Sequence, residues 1–160
     1  METRFWEAVD AVDWDAYPRF GPDSDGPANV VPEALRALDA VRNELDLRAA
    51  YNFTIDAVGH NHSGWLFPVL EPALPLLLRM TVEGGSWSRL AAGEVLIDVL
   101  SWLPSQATGV PVDRILDVLP PWRDALRSSL GDVDPARLHT CIEQLVTVLD
   151  EAAAARGDRP

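Results

Sequence analysis

Lysine is absent from this 160-residue chain, and all 13 of its basic residues are arginine. Against 25 acidic residues they leave a formal net charge of −12. No cluster of positive side chains stands anywhere along the sequence. Phosphate backbones and anionic lipid surfaces are held by such clusters, so neither nucleic acid nor a membrane surface is an expected partner. The acidity is not a tail: residues 1–80 hold 13 acids and six arginines, and residues 81–160 hold 12 and seven. A whole surface of this sign suits a basic protein partner. Cysteine is nearly missing too. Cys141 stands alone, which excludes an intrachain disulfide. Long apolar runs are lacking: the N-terminal METRFWEAVDAVDWDAY carries acids early and does not read as a secretory signal. The most apolar stretch, LFPVLEPALPLLLRM, is broken by Glu71 and three prolines and is too short to span a bilayer. The expected location is cytoplasmic.

What is present is enough for a core. Apolar residues make up 48% and charged residues 24% of the chain, which excludes a disordered tail, a collagen-like fibre and a disulfide-stapled miniprotein. The length suits a single domain over residues 1–160. Apolar spacings of three and four recur along it, and no stretch alternates as a strand does. A first helix is expected from Thr3 to Val12. Residues 13–31 read as a loop, rich in proline and aspartate but carrying Trp14, Tyr17 and Phe20. Pro32 opens a helical face of Leu35, Leu38, Val41 and Leu45, with a tight turn expected near Glu44–Asp46. A second face follows in Leu47, Tyr51, Ile55 and Val58, and residues 59–64 break the pattern. In residues 65–82 the prolines argue against one continuous helix, and Pro75 is expected to begin or kink its best part. Ser86 reads as a cap for a helix burying Leu90, Val95, Leu96, Val99 and Leu103. Asp113 suits the cap of a short helix through Leu119; Pro120-Pro121 breaks it, and Trp122 to Leu130 continues as another. Asp134 and Pro135 open the last helix, whose stripe is Leu138, Cys141, Ile142, Leu145, Val148 and Leu149. The sum is an all-α chain of roughly six to eight helices with short connections.

The segment AAYNFTIDAVGHNHSGWLFPVLEPALPLLLRM, residues 49–80, resembles bacterial HEAT-like proteins. Those carry a helix, a His-x-Gly or His-Ser-Gly turn, an aromatic, a proline and an Ala-x-Pro-Phe/Leu-Leu run. The matching positions are His62-Ser63-Gly64, Phe67, Pro68, and Pro75 with Leu76 and Leu77. SRLAAGEVLIDVLSWL and PEALRAL resemble the flanking helices. The resemblance implies a short HEAT-like stack of antiparallel helical hairpins, an alpha solenoid that binds protein. Small bacterial members look like immunity proteins of polymorphic toxin systems.

Chemistry is thin by comparison. Asp56 and His60 are one helical turn apart and His62 follows, a set that could hold zinc in a small metal-dependent enzyme. No third strong ligand lies near in sequence, and the simpler role is to tie down a turn. Ser63 lacks the glycine spacing of a nucleophile elbow. Cys141 sits in an apolar stripe, as a buried hydrophobe does. The six tryptophans, at positions 6, 14, 65, 87, 102 and 122, are more than a small core easily hides.

The leading expectation is therefore a non-enzymatic immunity protein with no cofactor and no metal, occluding a toxin domain that has a basic surface. Its expected contact residues are Trp65, Trp87, Trp102, Asp56, Glu83, Glu94 and Asp98, with Asp13, Asp15, Asp23 and Asp25 in the early loop. The alternatives are a helical scaffold or regulatory module for a host protein and, behind it, the metal-dependent enzyme.

Overall fold

The computed structural model describes residues 1–17, 30–60, 65–106, 110, 112–129 and 136–157. Helix α1 (Thr3–Asp10) buries Phe5 and Val9 and ends two residues short of Val12. A 3-10 turn over Trp14–Ala16 follows. Trp14 is buried there, and its Nε1–H donates to the Val9 carbonyl at 2.9 Å, which meets the one polar need of the ring. The start of the expected loop is thus structured. Phe20, Asp23 and Asp25 lie outside the described residues.

Helix α2 (Val31–Asp39) has Pro32 in its first turn and buries Leu35 and Leu38, with Val41 buried just beyond it. Leu45 departs from the expected face: it is 78% exposed. The expectation carried one helical phase across a break. The break falls before Glu44, where Asn43 accepts from the backbone N–H groups of Leu45 (2.9 Å) and Asp46 (3.1 Å). That cap starts a new helix, α3 (Glu44–Val58), with its own phase. Leu47, Ile55 and Val58 are buried on it and Tyr51 is half-buried, as their spacing predicts.

No strand was expected, yet Gly59–His60 (β1) pairs antiparallel with Trp65–Leu66 (β2). Two-residue strands are too short to show alternation. The ladder requires glycine, because a Cβ on Gly59 would lie 2.5 Å from the Trp65 carbonyl oxygen.

Helix α4 (Leu70–Glu83) corrects the proline reading. It begins five residues before Pro75 and runs through it. Pro72 sits in the first turn, where no N–H partner exists to lose. Pro75 forfeits one bond to the Glu71 carbonyl, and burial of Leu70, Leu74, Leu76, Leu77, Leu78 and Met80 outweighs that loss. Gly84 ends α4. Helix α5 (Ser86–Gln106) includes Ser86 within it, and the Gly85 carbonyl takes the Arg89 N–H at 2.8 Å, so the cap lies one residue earlier than expected. Its expected apolar stripe is buried throughout.

Helix α6 spans Val112–Val118, with Asp113 in its first turn, and α7 spans Pro120–Ser129, starting on the proline itself. Helix α8 (Ala136–Gly157) buries Leu138, Cys141, Ile142, Leu145 and Leu149, while Val148 is half-buried. Asp134 and Pro135 lie outside the described residues.

Among the described residues the protein is all-α, with eight helices and one minimal hairpin. Consecutive helices pair: α2 on α3, α4 on α5, α7 on α8. The pairs meet in two rows, α2–α4–α7 and α3–α5–α8, so α5 lies in the middle of one row. Gly93 lets α5 and α8 close up, since a Cβ there would lie 2.7 Å from the Cys141 Sγ. Buried Arg89 donates to the carbonyls of Thr81 (2.8 Å) and Ser129 (3.5 Å), tying the ends of α4 and α7 to α5.

Candidate functional site

The expected contact residues separate once the helices are in place. Trp65 is 46% exposed, although its backbone is fixed in the β1–β2 ladder and β2 packs on α5. Trp87 and Trp102 are half-buried and pack against the core, as Trp6 and Trp122 also do. Glu83 is exposed and pairs with Arg79 on its own helix at 2.7 Å. Asp56 is exposed near the end of α3, and Asp13 and Asp15 are exposed beside the 3-10 turn.

Glu94 and Asp98 are one turn apart on α5, and both are reached from other helices. The Tyr51 hydroxyl of α3 donates to Asp98. Burial, then the bond to Asp98 and its charge, raise the Tyr51 phenol above its usual range. Arg137 of α8 donates to Glu94 at 2.6 Å and also to Glu44 of α3. One guanidinium thus links three helices of the same row. Burial acts to lower its pKa, and the two carboxylates outweigh burial and raise it. Glu94 and Asp98 are therefore committed to holding α3 and α8 on α5 before any partner arrives.

Most of the histidine set lies outside the described residues. Asp56 is on the exposed side of α3, while the His60 side chain and all of His62 lie outside them. Among the described residues, no group of three His, Cys, Asp or Glu side chains could hold a metal ion. His139 is exposed and pairs with Glu143 at 3.3 Å. Also among them, no helix is long and apolar enough to cross a membrane.

No protein-family model, curated protein or solved structure matches this chain. The surface itself then carries the functional argument. Three large apolar side chains stand exposed among the described residues: Leu45 (78%), Phe53 (38%) and Trp65 (46%). All three belong to α3 and the hairpin that follows it. Sequence reasoning found only Trp65. Phe53 carried a signal, since it falls outside the buried spacing of Leu47, Tyr51, Ile55 and Val58. Leu45 continues the spacing of α2 in sequence, but the cap at Asn43 resets the helical phase and turns it outward. Arg137 carried no signal, since an isolated arginine on a helix surface has no periodic mark.

Proposed function

We propose that this chain is a non-enzymatic protein-binding module of HEAT-like build, acting as an immunity protein that occludes a cognate bacterial toxin domain in the cytoplasm. The pairing of consecutive helices, with pairs meeting in two rows, supports the HEAT-like reading, because repeat arrays stack in that order. The observation that carries the binding reading is Trp65. An indole this exposed, on a backbone held by a ladder, loses little freedom on burial and is an apt anchor for a partner. The net charge of −12 would draw in a basic toxin surface and speed encounter more than it adds affinity. Asp56, Asp13 and Asp15 are exposed acids suited to that role.

Co-expression with a toxin domain encoded beside this gene tests the reading. Growth is expected to be restored and a complex recovered, with Trp65→Ala weakening the complex at least tenfold, about 1.4 kcal/mol. A toxin that kills equally with and without this protein, and forms no complex with it, overturns the proposal.

A further inference from the structure

Helix α1 and the 3-10 turn after it close on themselves. The backbone N–H groups of Ala11, Val12, Trp14, Ala16 and Tyr17 all go to carbonyls between Glu7 and Trp14. The Trp14 indole turns back to the Val9 carbonyl. Side chains tie this stretch to the body. Phe5 and Val9, one helical turn apart, are fully buried, and Trp14 is buried too. Arg36 of α2 lies over the Trp6 ring at 5.3 Å and pairs with Asp10 at 3.5 Å. Arg79 of α4 lies over the Phe5 ring at 5.6 Å. Asp39, at the end of α2, takes the Met1 ammonium at 2.9 Å.

The stretch and its seat on α2 and α4 are complementary. Residues 1–17 hold five acids and one arginine, and the seat meets them with Arg36 and Arg79. A guanidinium over an aromatic ring is attracted by the ring face. Phe5 and Val9 offer the spacing of four by which an amphipathic helix lies in a groove. Lifting the stretch off keeps its backbone bonds and exposes three buried side chains. Lifting α5 breaks the middle of a row. An element tied by few buried side chains opens locally, ahead of the rest of the fold.

We propose that residues 1–17 are a detachable clip: an autoinhibitory contact that fills, in cis, a seat on α2 and α4 for an acidic amphipathic helix. A partner carrying such a helix, with apolar residues four apart, enters when the clip lifts. The clip competes as a tethered segment, at an effective concentration of about 1 mM. An outside helix therefore binds the unaltered chain weakly, and gains whatever the clip loses. This inference does not rest on the toxin-binding reading, whose anchor is Trp65.

A peptide of residues 1–17, labelled at its C-terminal end and titrated with the full chain by fluorescence anisotropy, tests the proposal. Phe5→Ala in the chain weakens the clip and leaves the seat as it is. That variant is expected to bind the peptide at least about tenfold tighter than the unaltered chain does. Adding Arg36→Glu, on the seat, is expected to weaken this binding at least about threefold. A peptide that itself carries Phe5→Ala is expected to bind at least about tenfold more weakly. Hydrogen exchange of the Phe5→Ala chain is expected to leave α5 and α8 at least about 100-fold more protected than residues 1–17. No binding to that variant at up to roughly 0.5 mM protein overturns the proposal. So does a peptide indifferent to its own Phe5→Ala, which reports charge attraction only. Equal protection of residues 1–17 and α5 also overturns it, because stretch and body then form one cooperative unit.

Discussion

Two residues show how tightly the middle of the molecule is closed. Burial, with the Glu94 carboxylate adding to it, pushes the Cys141 thiol up to about 12. A thiol so placed is neutral at pH 8, and a thiol reagent is expected to label it only as the protein unfolds. Fast labelling of the native protein would contradict the packing. Gly93 faces the same sulfur. Alanine in place of a mid-helix glycine ordinarily adds about 1 kcal/mol of stability. At position 93 its Cβ would lie 2.7 Å from Sγ, and crowding costs about 1–3 kcal/mol. Gly93→Ala is therefore expected to be destabilising alone and stabilising, or neutral, when added to Cys141→Ala. Urea denaturation of the four proteins in the cycle measures this; additive effects would refute the contact.

Tyr51 gives a pH dependence at the same scale. Its phenol is raised in the folded protein, first by burial and then by Asp98. Such a group gives stability that is complete below its unfolded value, near 10, and is lost as pH climbs towards the folded one. Cys141, also raised, acts in the same direction from lower pH. In a Cys141→Ala background, melting temperature is expected to fall from about pH 10 upwards, and Tyr51→Phe to flatten that fall. An unchanged slope would show that the bond to Asp98 contributes nothing in solution.

At the scale of elements, Asn43 decides where α2 ends and α3 begins. Its Oδ1 takes two backbone N–H groups, and its Nδ2–H donates to Asp46 at 2.8 Å. Asn43→Ala is expected to cost about 0.5–2 kcal/mol in urea denaturation. A cost near zero would mean that packing alone sets the break. The same residue shows what the sequence makes legible. The stripes of α5 and α8 and the inner face of α3 could be read because a period of 3.6 repeats over three turns or more. A cap is one side chain at one place, and missing it turned Leu45 inside out. Pro75 reads as a breaker by local propensity, and the tertiary burial that overrides it leaves no local mark. The hairpin was too short to read. The candidate surface was legible only in part: Trp65 stands out, while Trp87 and Trp102 pack on the core and Glu94 and Asp98 hold other helices.

For the whole molecule, the balance between local pairing and general repulsion has a measurable sign. Arginines bind carboxylates within and between helices, as Arg79 does Glu83, Arg127 does Asp150 (2.6 Å) and Arg137 does Glu94. Most of these pairs are at least partly exposed, and such pairs are worth roughly 0–1 kcal/mol each. Against them stands the repulsion of 25 acids that 13 arginines cannot neutralise. Repulsion acts over longer distances than contact pairs, so salt removes more of it: the screening length shortens from about 30 Å at 0.01 M to about 10 Å at 0.1 M. The melting temperature is expected to rise with salt across that range. A gain of about 1 kcal/mol corresponds to roughly 2–4 °C for a chain of this size. The measurement belongs at low micromolar concentration, where association between copies adds least to it. A fall in melting temperature there would mean that the arginine pairs, and not the excess of acid, dominate the electrostatics of the fold.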